Sequence, residues 1–125
     1  MSSSIPSMFP IVGQRVRLSM DDETTGAVAR PDGRACGSFL LESDGDILVI
    51  QCLSIDEAER GYGLGTEAAH LLSDAAIAGG WTRLRAWAPP DRGLAVYFWS
   101  RMGFRPLFGE RPGGGIWFER VTRPQ

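Results

Sequence analysis

Lysine does not occur in this 125-residue chain; its thirteen basic residues are all arginine. A nucleotide-binding P-loop needs a lysine after its last glycine, so that phosphate site is excluded at the outset. Cysteine and histidine are almost as scarce. Cys36 and Cys52 are too few for a disulfide scaffold and stand in no metal-ligand spacing, and His70 is the only histidine. No metal site is expected from such a set. Neither sign of charge is in large excess: fifteen acidic residues leave a formal net charge of −2, which offers no basic stripe to a nucleic acid. Long hydrophobic runs are missing too. Ile47-Leu-Val-Ile50 is the longest strongly apolar stretch, far short of a membrane span. The first eight residues lack the basic and apolar regions of a secretory signal. The expectation is a cytoplasmic protein with neither a membrane nor a nucleic-acid partner.

What is present suffices for a core, since 43% of the residues are hydrophobic and 22% charged. Residues 1–12, rich in Ser and Pro, read as a flexible lead-in, and residues 13–125 as a single domain. Arg15 to Ser19 alternates polar and apolar residues, which predicts a first strand. Gly26 to Arg30, Ala35 to Glu42 and Ile47 to Ile55 follow as strands divided by Pro31-Asp-Gly33 and Ser43-Asp-Gly-Asp46 turns. Together they predict an antiparallel meander. Cys36 and Cys52 fall on neighbouring strands of it and read as reduced core thiols.

The period then changes. Leu64, Ala68, Leu71, Leu72, Ala75 and Ala76 lie at helical spacing, closed by Gly79-Gly80. Trp81 to Ala88 alternates again and predicts a fifth strand. Asp91 is placed to cap a second helix carrying Leu94, Phe98 and Met102, which Gly103 ends. Phe104 to Phe108 and Ile116 to Val121 predict a hairpin around Arg111-Pro-Gly-Gly-Gly115. The fold class is therefore α/β (α+β): a mixed, mostly antiparallel sheet of about seven strands. Its centre is a strand-helix-strand unit from Ile47 to Ala88, whose crossover makes the two strands parallel.

Chemistry concentrates in Glu59-Arg60-Gly-Tyr-Gly63-Leu-Gly65-Thr66, between the fourth strand and the first long helix. Unpaired N–H groups at a helix start suit phosphate oxygens, glycines admit the anion closely, Arg60 adds charge and Thr66 a hydroxyl. The same run also reads as an ordinary strand-to-helix turn. Gly61, Gly63 and Gly65 do not give the Gly-x-Gly-x-x-Gly of a dinucleotide site, and Trp87-Ala-Pro-Pro stands where that site wants an acid. Arg60-Gly-Tyr-Gly63-Leu-Gly65 does fit the Arg/Gln-x-x-Gly-x-Gly/Ala pyrophosphate loop of acyl-CoA transferases.

With that loop, the chain resembles the GNAT N-acetyltransferases. Leu53 to Thr66 is similar to their fourth strand and acetyl-CoA loop. The strand and helix order after it agrees, and Ala95-Val-Tyr-Phe-Trp99-Ser-Arg-Met-Gly103-Phe104 is similar to their late Ala-x-x-x-Tyr-x-x-x-Gly-Phe segment. The resemblance spans residues 47 to 121 and implies the GNAT fold with a central acetyl-CoA-binding β-α-β unit. It implies an acyltransferase that moves an acetyl group from acetyl-CoA to a primary amine, on a small molecule or a peptide, by direct attack. It assigns the pyrophosphate to Arg60, Gly61, Tyr62, Gly63, Leu64, Gly65 and Thr66, and the pantetheine arm to the backbone of Leu53 and Ile55. The same splayed strand is implied to offer an N–H to the oxyanion.

The sequence departs from the family in three places. Trp99 stands where the family usually has a tyrosine acid, and an indole does not donate a proton to a thiolate; Ser100 is the neighbouring candidate, while Tyr97 lies about 200° around the helix. No carboxylate occurs within Ile47 to Ile55, so Asp46 before it and Glu42 on the third strand are the candidate bases. Only Met20 to Thr25 separates the first two strands, too short for the helices the family places there. The acceptor side is therefore expected to be open, or completed by a second copy in a homodimer. Trp87 is a candidate wall of the acyl site, and His70 reads as a packed or solvent-facing residue. The alternative function is a GNAT-fold module that binds acyl-CoA without turnover.

Overall fold

Short turns held by side-chain oxygens organise the first half of the chain. Asp22 Oδ1 accepts the backbone N–H groups of Thr24 and Thr25, and Asp32 Oδ1 accepts that of Arg34, each closing a hairpin. The computed structural model describes residues 4–89, 93–107 and 114–122. In chain order these form β1 (Ile11–Val12), β2 (Arg17–Met20), β3 (Thr25–Ala29), β4 (Ala35–Asp44) and β5 (Ile47–Ile55), then α1 (Leu64–Ala78), β6 (Arg83–Ala88), α2 (Gly93–Arg101), β7 (Arg105–Leu107) and β8 (Ile116–Val121). One eight-stranded sheet runs in the order β1-β2-β3-β4-β5-β6-β8-β7. β5 and β6 are parallel; the other neighbours are antiparallel. The mixed, mostly antiparallel α+β architecture is the one read from the sequence. The expected cap at Asp91, Phe108, and positions 111–113 of the last turn lie outside the described residues.

Two details differ from the sequence reading. The eighth strand is β1, and it belongs to the segment expected to be loose. That segment holds a 3-10 turn at Pro6–Met8, Ile5 is only 7% exposed, and Phe9 stacks on Phe39 with ring centroids 5.6 Å apart. Apolar anchors override the Ser/Pro composition from Ile5 onward. The cysteines also part company. Cys36 is buried and Cys52 exposed, both as free thiols. Cys52 sits opposite Leu40, four positions along β4 from Cys36, so register keeps them apart. Burial pushes the Cys36 thiol up from its ordinary value.

Both helices end the same way. Gly80, at φ +86°, follows α1, where the N–H of Gly80 donates to Ile77 and that of Trp81 to Ala76. Gly103, at φ +89°, follows α2, where Gly103 donates to Ser100 and Phe104 to Trp99. These paired bonds need a left-handed residue that glycine supplies without a Cβ clash. Each delivers the next aromatic into the interior: Trp81 is 1% and Phe104 3% exposed.

A single core contains Leu48, Ile50, Leu84, Ala86 and Phe118 from the sheet together with Leu64, Leu72, Trp99 and Met102 from the helical segments. Both helices therefore lie on one face. The opposite face carries the row Glu42, Val49, Arg85, Glu119 and Arg105, in register across β4, β5, β6, β8 and β7. Among the described residues no helix covers it, because the link from β2 to β3 is only a turn. No helix among them is long and apolar enough to cross a membrane.

Gly26 on β3 is buried beneath the Phe39 ring, and a Cβ built there would land on that ring. Gly26→Ala is expected to cost about 1–3 kcal/mol by overpacking, read as a lower thermal midpoint. An unchanged midpoint would mean that Phe39 and Phe9 repack freely.

Candidate functional site

The site begins with one extra residue in β5. Leu41 pairs with Ile50 and Leu40 with Cys52, which leaves Gln51 without a partner on β4. A bulge of this kind bends its strand and increases local twist. The parallel ladder between β5 and β6 accordingly stops at Ile50 and Ala86. Beyond it, β5 continues along β4 to Ile55, while β6 continues along β8 to Ala88. The two strands diverge and leave a slot between them with no ladder across it. Leu53 and Ile55 lie on its β5 wall.

The slot points at the start of α1. After a 3-10 turn at Glu57–Glu59, Gly61 and Gly63 take φ of +90° and +76°. Gly63 caps α1 and offers no side-chain hydrogen bond. The first bond within the helix is from the Glu67 N–H to the Gly63 carbonyl, at 3.1 Å. The N–H groups of Leu64, Gly65 and Thr66 thus have no helical acceptor. Leu64 is 1% exposed, so its contribution to a ligand is its backbone alone. The Thr66 hydroxyl has no protein partner among the described residues.

Neighbouring charges fix this loop. Arg60 Nε donates to the Ile55 carbonyl at 2.9 Å, which turns the side chain back toward the end of β5. Arg15 Nη1 donates to the Tyr62 carbonyl at 3.0 Å. Arg15 is held there because Glu67 Oε2 accepts the backbone N–H groups of Arg15 and Val16, at 2.7 and 2.8 Å. Glu59 bridges Arg30 at 2.8 Å and Arg34 at 3.0 Å, and the Arg30 guanidinium lies 5.7 Å from the centroid of the exposed Tyr62 ring. The hydrogen bonds that Arg30 donates to the Glu59 carboxylate raise it above the usual arginine range, so it stays charged. A Cβ on Gly63 would sit 3.0 Å from Arg15 Nη1. Unpaired amides, a cradle free of side chains and surrounding arginines suit a pyrophosphate. Only Arg60 was visible in the sequence as part of this set. Arg15 arrives from the β1–β2 turn and Arg30 and Arg34 from the β3–β4 turn, and nothing local in sequence links them to the loop.

The candidate catalytic residues are not brought together. Glu42 lines a cleft of about 410 Å³ on the uncovered face, with Val49, Gln51, Arg85 and Trp117 among its walls. Asp46 is exposed in the turn before β5, at the end of the strand away from the slot, and its carbonyl accepts the Thr82 N–H at 3.0 Å. Ser100 is exposed on α2 and does not line the cleft. Trp99 is 4% exposed, set edge-on to Phe98 and Phe104 with centroids 5.0 Å away in both cases. It is a core residue. Tyr97, 70% exposed, faces solvent. Trp87 stands near Trp117, with centroids 6.4 Å apart, beside the diverging strands. His70 is exposed on α1. Among the described residues no group of three His, Cys, Asp or Glu side chains could hold a metal ion.

The fold is shared with known proteins. Solved structures of similar fold include a GCN5-related N-acetyltransferase from Brucella melitensis, with TM-score 0.80 and 14% identity over 97% of this chain and 82% of that one. A GNAT-family acetyltransferase from Staphylococcus aureus aligns with TM-score 0.67 and 14% identity, over 79% of this chain and 68% of the other. An N-acetyltransferase from Thermoplasma acidophilum, solved with coenzyme A, gives TM-score 0.66 and 12% identity over 78% and 59%. At these identities the likeness is one of fold. Comparison with curated protein sequences gives no match. The model of the acetyltransferase (GNAT) family matches residues 4–104, and over that length the chain belongs to the GNAT acetyltransferase family.

Proposed function

We propose that the protein is a cytoplasmic acetyl-CoA-dependent N-acetyltransferase that acts on a primary amine of a small molecule or peptide by direct attack. The observation that carries this reading is the slot between β5 and β6, open beyond Ile50 and aimed at the uncapped start of α1. Acetyl-CoA supplies an activated acetyl group. The chain supplies position: amides from Gly61 to Thr66 and the guanidinium of Arg15 receive the pyrophosphate, with Arg60 behind them. The backbone of Leu53 and Ile55 receives the pantetheine arm, and a free N–H on the diverging part of β5 faces the thioester oxygen, where a fixed donor favours the developing charge. Glu42, opposite Val49, is the carboxylate of β4 nearest in register to the open strand end, and unlike Glu119 in the same row it has no arginine partner among the described residues.

One observation favours a second reading. With Trp99 packed in the core, no acid occupies the position where the family usually has tyrosine, as expected of a module that binds acyl-CoA without turnover. Release of CoA from acetyl-CoA in the presence of an accepted amine excludes it.

Acetyl-CoA and CoA at a hundredfold excess over their dissociation constants are expected to add about 2.7 kcal/mol, read as a rise of several degrees in the thermal midpoint, with NAD giving none. Gly63→Glu should abolish that rise, whereas Gly63→Ala, which adds the strain of a Cβ at positive φ without the charge, should keep part of it. Equal cofactor response in wild type and Gly63→Glu would end the pyrophosphate assignment.

Cys52 borders the bulge and is exposed, while Cys36 is buried. Iodoacetamide should modify Cys52 and spare Cys36, and acetyl-CoA should slow the reaction. Modification at the same rate with and without acetyl-CoA counts against a pantetheine arm along β5.

The uncovered face further supports a homodimer in which a second copy completes the acceptor side. Sedimentation should then show a dimer at working concentration. A monomer fully active at nanomolar protein would remove this part of the reading.

A further inference from the structure

The cleft on the uncovered face has walls of opposite sign. Glu42 and Asp44 line it from β4 and Arg85 from β6, with Val49 of β5 between them; Ile47 and Arg83 are the next residues on that face of β5 and β6, outside the lining. The register sets these as two parallel rows, Glu42-Val49-Arg85 and Asp44-Ile47-Arg83. Two strand spacings separate the acidic from the basic backbone, about 10 Å. Glu42 forms no ion pair with Arg85 or with any other described residue. Arg85 is held by Glu119, through Nε to Oε2 at 2.9 Å, and Glu119 also takes Arg83 at 3.5 Å. That bond leaves the terminal nitrogens of Arg85 without a protein partner among the described residues, although the side chain is about two-thirds buried, at 32% exposure. Gln51, the bulged residue at the mouth of the slot, lines the same cleft.

We propose that this cleft is the acceptor subsite and that it selects amines carrying a carboxylate, that is, small amino acids. This rests on the acetyl-transfer reading above and names its substrate class. The ammonium end lies toward Glu42, the carboxylate end accepts hydrogen bonds from Arg85, and the short carbon chain crosses the apolar floor at Val49. A planar guanidinium already fixed at Nε presents its remaining donors to a carboxylate in defined geometry. A diamine would set its second cation against Arg85, and a plain alkylamine would leave those donors unmatched. In the transfer, the nitrogen bonds to the acetyl carbonyl carbon as the carbon–sulfur bond breaks. Of the two protons the ammonium loses, one ends on the CoA thiol and the other leaves through Glu42 to solvent.

The test measures CoA release from acetyl-CoA with the twenty standard amino acids, β-alanine and 4-aminobutyrate, each against its own methyl ester. At least one free acid should be used with kcat/KM about tenfold or more above its ester, the worth of one charge-assisted hydrogen bond. Arg85→Gln should erase that preference mainly through KM, Arg85→Lys should keep part of it, and Glu42→Gln should lower turnover of acid and ester alike. Both Arg85 variants are checked by thermal midpoint, since Glu119 keeps Arg83 as a partner. Esters used as well as acids, an acid preference unchanged in a folded Arg85→Gln, or no acid used by a protein that acetyl-CoA stabilises would each overturn the proposal. If acetyl-CoA fails to stabilise the protein at all, the acetyl-transfer reading falls, and this one with it.

Discussion

A single unpaired residue in β5 governs the layout of this molecule. Gln51 has no partner on β4, and the strand that carries it turns away from β6 immediately afterwards. Without the bulge, a nine-residue β5 would continue its parallel ladder and the sheet would be closed. With it, the sheet holds two sets of strands joined over only four residue pairs. The diverging ends leave an open length of β5 backbone on the side away from its ladder with β4. The glycine loop and the start of α1 gain their meaning from that opening, because unpaired amides without an approach would bind nothing.

Fixing that opening falls to contacts remote in sequence. Glu67 reaches from the first turn of α1 to the backbone of Arg15 and Val16, tying the N-terminal strands to the loop. Glu59 ties the same loop to the β3–β4 turn through Arg30 and Arg34. On the far side, Gly103 ends α2 and turns Phe104 inward against Trp99. The Gly103-Phe104 pair, which in sequence resembles a family segment, is physically a helix terminator with its hydrophobic contact. It reports how the fold is closed rather than which residue moves a proton, and so it survives where Trp99 has replaced the expected acid.

Much of the architecture was legible because it obeys local rules. The change from alternating to helical period at Gly63, the glycine stops and the turn residues each mark an element boundary, and the structure follows them. The short link from Met20 to Thr25, set against the helices that the resembled family places there, implied an uncovered face. Other features follow from pairing, which a single chain does not spell out. Nothing in Ile47 to Ile55 marks Gln51 as the extra residue, since bulging depends on register with β4. Ile5 stands alone among Ser and Pro residues, and Phe9 packs against the core by stacking on Phe39, a residue thirty positions away. The electrostatics were hardest to read: Arg15, Arg30, Arg34 and Arg85 look alike in sequence, yet the fold sends three to the loop and one to the opposite face. For the same reason Asp46 and Ser100 were plausible by position and do not line the cleft.

The edges of the sheet limit how copies of this chain can meet. β1 has two residues and β7 three, and β7 carries Pro106, which has no N–H to offer, beside the exposed Arg105. Strands so short, charged and interrupted are poor templates for adding another chain. The sheet is thereby protected against growing sideways into open-ended aggregates. The broad uncovered face, with its charged rows and tryptophans, is the larger surface that the sheet leaves open.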